Sequence, residues 1–463
     1  MNSETTQRPA PGPWAVAAVV LCGVCAFLGL YCTQPLLPLL ETVFHATKTA
    51  VSLTVSAATL GVALSAPLFG ALTERLPRKR VIVLSLIGVT VPTLLAATAH
   101  SLGQLIFWRF LQGITLPGIY AVVVTYIGEE WPPQQMALIM SFYVSGTALG
   151  GFVGRLTSGI LADAFNWRVS FLAIGAFSLI GAAAVAAWLP PGRGRHLHQK
   201  AGRPGSGPSN LGHRNSLPKI DPAAAASPLP LTPVPGTDPG AASSSYRGFP
   251  YQVQTLFRNP RLVATFAVGF NVLFSLVAVF TWITFHLSAP PFSLSTAALS
   301  SLFIVYLVGL VVTPAAGFLI TRVGVRAGVA GAIILSMTGV LLTLAPSLHF
   351  VILGLTLLSS GVFIAQTASQ SHLRIASPPG SRVTAAGLYL TCYYLGGTAA
   401  GTVPGLFWHL GKWPACVAFI LAMQGIALAI ALFFWRTPPA RDAQPPTAAP
   451  ETWLSTARPQ YRQ

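Results

Sequence analysis

Apolar residues run along this chain in long blocks, not in the alternation of a half-buried strand or the three-four spacing of a surface helix. Val16–Leu30, Val81–Ala99 and Phe419–Trp435 are examples, built mainly from Ala, Gly, Leu and Val. A bilayer core takes about 20 helical residues to cross, so each block reads as a membrane span. The pattern predicts twelve. Six fall in 14–189: Trp14–Leu37, Ser52–Leu72, Val81–Ala99, Leu102–Ile127, Met136–Leu161 and Val169–Leu189. Six fall in 251–437: Leu262–Leu287, Thr296–Ile320, Ala327–Ala345, Leu348–Thr367, Thr384–Leu410 and Pro414–Trp435. The expected architecture is an all-α membrane protein of two six-helix bundles. The first block lacks a basic lead-in and is too long for the apolar part of a cleavable leader, so it is expected to be the first span.

Between the bundles, 190–250 is rich in Pro, Gly, Ser and Ala and cannot bury an apolar face; it reads as a disordered linker. The ends, 1–13 and 438–463, read as tails of the same kind.

Only 8% of the 463 residues are charged, against about 25% in a soluble domain. The net charge of +17 would suggest nucleic acid if it formed a patch, but it sits in the loops between spans, so no nucleic-acid partner is expected. With the N-terminus in the cytoplasm, 22 Lys and Arg lie in inside segments and three, Lys48, Arg168 and Lys412, lie outside. Both termini and the linker are therefore expected in the cytoplasm. The five cysteines, Cys22, Cys25, Cys32, Cys392 and Cys416, all lie within spans and suggest small apolar filler, not a disulfide framework or metal site. No cofactor is expected, and no nucleophile–base set marks an enzyme.

The halves repeat. A shift of 247 places Pro67, Gly70, Leu72 and Arg75 on Pro314, Gly317, Leu319 and Arg322. A shift of 246 places Gly150, Gly151, Gly159 and Trp167 on Gly396, Gly397, Gly405 and Trp413. Internal repeats of this size are a mark of secondary transporters.

Three motifs carry mechanism. The loop after the second span holds Gly70, Glu74, Arg75, Arg78, Lys79 and Arg80, with Pro77 among them. It resembles the signature loop of the major facilitator superfamily, with Glu for the usual Asp and Pro for the usual Gly. The resemblance implies a latch at the cytoplasmic side. Glu74 would meet the positive start of the eleventh span, and Arg78 would pair with Glu129 or Glu130. The fourth span carries Arg109, Gln112 and Gly113, similar to the family's Arg-x-x-Gln-Gly motif, which implies a place by the transport path. A structural tie to the first span is the other reading of Arg109. The fifth span carries Gly146, Gly150, Gly151, Gly154 and Gly159, a partial match to the glycine motif of drug:proton antiporters, with Arg155 added; close helix packing accounts for most of it. Together with Tyr31-Cys-Thr-Gln34-Pro35 and Tyr389-Leu-x-x-Tyr393-Tyr394, these segments resemble the YnfM-type inner-membrane transporters.

No Gly-x-x-x-x-Gly-Lys-Ser/Thr motif for ATP is present, so energy for transport would come from a gradient. The resemblance implies a monomeric bacterial inner-membrane carrier of small molecules, with proton-coupled efflux of drug-like or metabolite cargo. A sugar or organic-solute exporter or importer on the same fold, and a membrane sensor that moves nothing, are the alternatives. Arg155 and Asp163 join Arg109 and Gln112 as candidates for path or coupling. Tyr31, Gln34, Asn271, Tyr389 and Tyr393 are candidates for the cargo cavity.

Overall fold

The computed structural model describes residues 12–191, 249–378 and 381–435. Of the expected first tail only 12–13 fall inside these ranges, of the linker only 190–191 and 249–250, and the expected tail 438–463 lies wholly outside the described residues. The described residues are helical, joined by short turns, with no strand among them.

The first half contains α1 (Pro13–Leu28), α2 (Leu37–Val43), α3 (Lys48–Arg75), α4 (Arg78–Ala96), α5 (Leu102–Thr115), α6 (Pro117–Glu130), α7 (Pro133–Ala164) and α8 (Trp167–Trp188). The second contains α9 (Phe249–Phe257), α10 (Pro260–Ser288), α11 (Thr296–Ser301), α12 (Val308–Val323), α13 (Val325–Leu342), α14 (Leu348–Ala376), α15 (Arg382–Thr402) and α16 (Pro404–Phe434). Among the described residues, ten helical stretches are long and apolar enough to cross a membrane, with α5–α6 and α11–α12 each counted as one. The shorter α1 and the α15 helix complete twelve spans. The backbone of α16 leaves helical geometry at Gly411 and Lys412. Its first turns therefore continue the eleventh span, and the rest is the twelfth.

Several spans are less regular than the apolar pattern suggests. The first ends its α-helix at Leu28, turns through Gly29–Thr33, and resumes as a 3-10 turn at Gln34–Leu36 followed by α2. Gly29 leaves room for the Gln112 side chain, and Pro35 and Pro38 remove two helical donors. Pro117 interrupts the fourth span in the same way. The eighth span holds a 3-10 segment, Leu302–Leu307, between α11 and α12. The amphipathic α9, which precedes the seventh span, lies almost wholly beyond the 190–250 linker and is not among the twelve expected spans.

The two halves pack alike. In the first, α1 lies on α7, α3 on α5, and α4 on α8; in the second, α10 lies on α15, α12 on α14, and α13 on α16. Leu84, Phe107, Ile180 and Val311 are each more than half exposed, as an outer surface facing lipid tails should be. Glycines set the closest approaches. A methyl at Gly146, Gly150 or Gly154 would overlap the carbonyls of Val20, Val24 and Leu28 in turn, one helical turn apart on both helices. Gly396, the image of Gly150, stands against the Phe270 carbonyl, and Phe270 is 246 residues after Val24. The repeat read from sequence is thus a repeat of contacts.

Candidate functional site

The halves meet along two seams and an axis. On one seam α3 packs against α15, on the other α7 packs against α11, and near the axis the first span meets α10. Small polar side chains close these meetings at the end away from the basic Leu76–Arg80 loop. Ser56 Oγ donates to the Thr398 carbonyl at 2.7 Å, and Thr398 Oγ1 donates to Thr59 Oγ1 at 3.2 Å. Gly159 lies against Ser300 and Thr296, and its image Gly405 lies against Thr49, the image of Thr296. Gln34 Nε2 donates to Thr281 Oγ1 at 3.1 Å.

Arg155 sits at the α7–α11 seam and is 2% exposed. Its Nε donates to Gln34 Oε1 at 2.8 Å and its Nη1 to the Gly151 carbonyl at 2.6 Å. Three rings surround the guanidinium: Cζ lies 4.7 Å from the ring centre of Tyr31, 5.0 Å from Phe303 and 4.5 Å from Tyr306. Tyr31 comes from the first half; the other two come from the 3-10 segment of the second. That helix has three residues per turn, so positions i and i+3 eclipse, and Phe303 and Tyr306 present both rings to the same neighbour. Neither ring is singled out by the family motifs. The available signal is an aromatic pair at i and i+3 in the first half of the span.

Arg109 is built into a different setting. It is fully buried within the first half. Nε donates to the Thr54 carbonyl at 3.1 Å, Nη1 to the Gly29 carbonyl at 2.6 Å and to Gln112 Oε1, and Nη2 to the Leu30 carbonyl. Gln112 Nε2 passes the link on to Thr93 Oγ1 at 2.9 Å. The carbonyls of Gly29 and Leu30 lie at the break that follows α1. Arg109 therefore caps the broken first span and ties it to the second and fourth. Gly113 lets α5 approach the Ala58 carbonyl of α3.

At the basic loop, Arg78 grips Glu129 with Nη2 at 3.1 Å and Nε at 3.4 Å. This pair joins α4 to α6 within one half. Glu130 beside it is buried, whereas Lys79 and Arg80 head α4 nearer the surface. The side chains of Glu74 and Arg75, and the surroundings of Gly70, lie outside the described residues.

The remaining candidates are dispersed. Asp163 is exposed near the end of α7, while Arg155 on the same helix turns inward to its rings. Tyr389 and Tyr393 stack with ring centres 6.1 Å apart, Tyr389 resting on Gly269 of α10. Asn271 lines an apolar groove of about 350 Å³ with Phe266, Phe270, Cys392 and Met423, apart from the Arg155 cage.

The family model of the Major Facilitator Superfamily matches residues 19–401 and 292–461. An uncharacterized transporter of Buchnera aphidicola subsp. Schizaphis graminum is 31% identical over 421 residues, covering 90% of each chain. The inner membrane transport protein YnfM of Escherichia coli is 33% identical over 427 residues, covering 89% of this chain and 88% of its own. Among solved structures, an inward-facing, unoccupied bacterial homologue of the human lysosomal transporter Spinster has a TM-score of 0.69 at 16% identity, over 92% of this chain and 99% of that one. That likeness speaks for the fold alone. On the family match and these relatives, this chain belongs to the Major Facilitator Superfamily of membrane transporters.

Proposed function

We propose that the chain carries small solutes out across the bacterial inner membrane by alternating access, driven by the proton gradient. The seam between the halves is the observation that carries this reading. It is closed by short polar contacts between two similar bundles, one of them joining a position to its own image. Each such bond has a net worth of about 1 kcal/mol, so the seam can part without a large barrier. With the basic loop in the cytoplasm, as the Lys and Arg distribution favours, the closed end faces the periplasm.

Coupling to protons needs a carboxylate held away from water. Glu41 pairs with Lys48, Glu129 pairs with Arg78, and Asp163 is exposed; Glu130, at 4% exposure, is the one buried acid among the described residues. The test is flux in proteoliposomes of purified protein across a panel of lipophilic solutes, with and without an imposed pH gradient. Wild type should accumulate solute against its gradient when the pH gradient is imposed and only equilibrate it when the gradient is absent. Accumulation that survives a protonophore would exclude proton coupling; an absence of saturable flux for every solute would exclude transport.

A further inference from the structure

The halves are copies, so the places where they stop being copies carry information. Arg155 corresponds to Gly401 at the 246 offset, and Phe303 and Tyr306 correspond to Ser56 and Thr59 at the 247 offset. On the α3–α15 seam these positions are small, and a methyl on Gly401 would overlap Ser56 Oγ. On the α7–α11 seam the same three positions hold a guanidinium and two rings. A charge and two aromatics thus occupy a place that the fold itself can close with a glycine, a serine and a threonine. Packing does not require them.

Nor does the arginine cap the backbone as Arg109 does. A guanidinium has five N–H donors. Carbonyl oxygens of Gly29, Leu30 and Thr54, with Gln112 Oε1, take up four of those of Arg109. Hydrogen bonds to Gln34 and Gly151 use two donors of Arg155. Among the described residues no carboxylate pairs with it. The Tyr306 hydroxyl, on one of the caging rings, is buried without a hydrogen-bond partner among the described residues. Rings attract the faces of a guanidinium, but its edge donors fit the two oxygens of a carboxylate. A buried cation without a counter-ion favours an anion beside it. A single positive charge in aromatic surroundings suits a monoanion with an apolar body better than a dianion such as a phosphate ester.

We infer that Arg155 recognises the carboxylate of the transported solute, with Tyr306 as a second donor, so that the cargo class is small amphipathic organic acids. This rests on the reading of the chain as a solute carrier. The apolar body of such an acid would lie along Tyr31 and Phe303. Parting of α7 from α11 would open a gap between the guanidinium and the second-half rings, which the acid would bridge.

The test separates this inference from transport itself. Thermal unfolding of the purified full-length protein is followed with phenylacetate and 4-phenylbutyrate, each beside its neutral primary amide. The carboxylates should stabilise wild type and the amides should not. Arg155→Gln should weaken carboxylate binding about a hundredfold and Tyr306→Phe about tenfold. Arg155→Lys, which keeps charge but not the fork, should fall between them. If Arg155→Gln fails to fold, Tyr306→Phe and Arg155→Lys decide the matter by their carboxylate-to-amide ratio, which a purely structural role would leave unchanged. Equal stabilisation by acid and amide, no stabilisation by either acid, or an unchanged ratio in the variants would overturn the inference. Proteoliposome flux of neutral solutes with any of these results would leave the carrier reading standing. Carboxylate binding without flux of any solute would defeat the carrier reading alone.

Discussion

Gln34 on the first span donates to Thr281 on the seventh at 3.1 Å, and the two residues stand 247 positions apart, the offset that lays one half over the other. A position bonded to its own image marks the pseudo-two-fold axis that relates the bundles, an axis that runs along the membrane normal in carriers of this family. The same amide accepts Arg155 Nε through its Oε1. One side chain therefore engages both the axis and the α7–α11 seam.

Thr281→Val removes the acceptor on the axis and keeps the shape. It should favour the state open at the end away from the Leu76–Arg80 loop by about three- to tenfold, the worth of one hydrogen bond. Modification of a cysteine placed at Ser300, in a background without native cysteines, by a membrane-impermeant thiol reagent would report the shift. An unchanged rate would mean that the axis bond does not hold the gate.

Arg109→Ala should act on folding before transport. It strands the carbonyls of Gly29, Leu30 and Thr54 in an apolar interior, at about 1–3 kcal/mol for each group left unsatisfied. The expected result is much less protein in the membrane, with flux per inserted molecule largely kept. Arg109→Lys should recover part of the level. Normal membrane content with no flux would return Arg109 to the transport path.

Gly154→Leu forces α7 away from the Leu28 carbonyl of α1. The glycines at 146 and 150 face the same helix, so the whole interface should loosen. Immunoblots of membranes should show a marked fall in protein, while Gly387→Leu, where added atoms meet open space, should be tolerated.

Arg78→Glu breaks a half-exposed pair that is worth at most about 1 kcal/mol. Its effect on accessibility at the end that bears the Leu76–Arg80 loop should stay below about fivefold and shrink with salt. Arg78→Glu combined with Glu129→Arg should restore the wild-type value. A large effect without rescue would show that Arg78 acts through another partner.

Fold and repeat are legible in the sequence because lipid leaves the backbone few choices: polar groups must be satisfied within helices, and helices approach closely at small residues. The glycines of α7 can therefore be named before their partners are known. Arg109 and Arg155 both read as charges within spans, but their settings differ for a reason that lies outside each span. Arg109 meets carbonyls released by the break at Gly29, and Arg155 meets rings from the opposite half. Phe303 and Tyr306 escape motif reading because an α-helix would set them about 60° apart; only the 3-10 geometry of Leu302–Leu307 brings them into register. Asn271 is polar in a span, as a cavity residue would be, yet it faces the groove between α10 and α16.

The 3-10 segment also makes the eighth span adjustable in length. Six residues rise about 12 Å in that form and about 9 Å as α-helix, and they wind about 120° further. Relaxation of Leu302–Leu307 to α-helix would pull α12 about 3 Å toward α11 and turn it by a third of a revolution. The same relaxation would swing Tyr306 out of line with Phe303. A piston of one helical segment, with no movement of the bundles as bodies, would then suffice to separate Phe303 and Tyr306 beside Arg155 while Tyr31 stays in place.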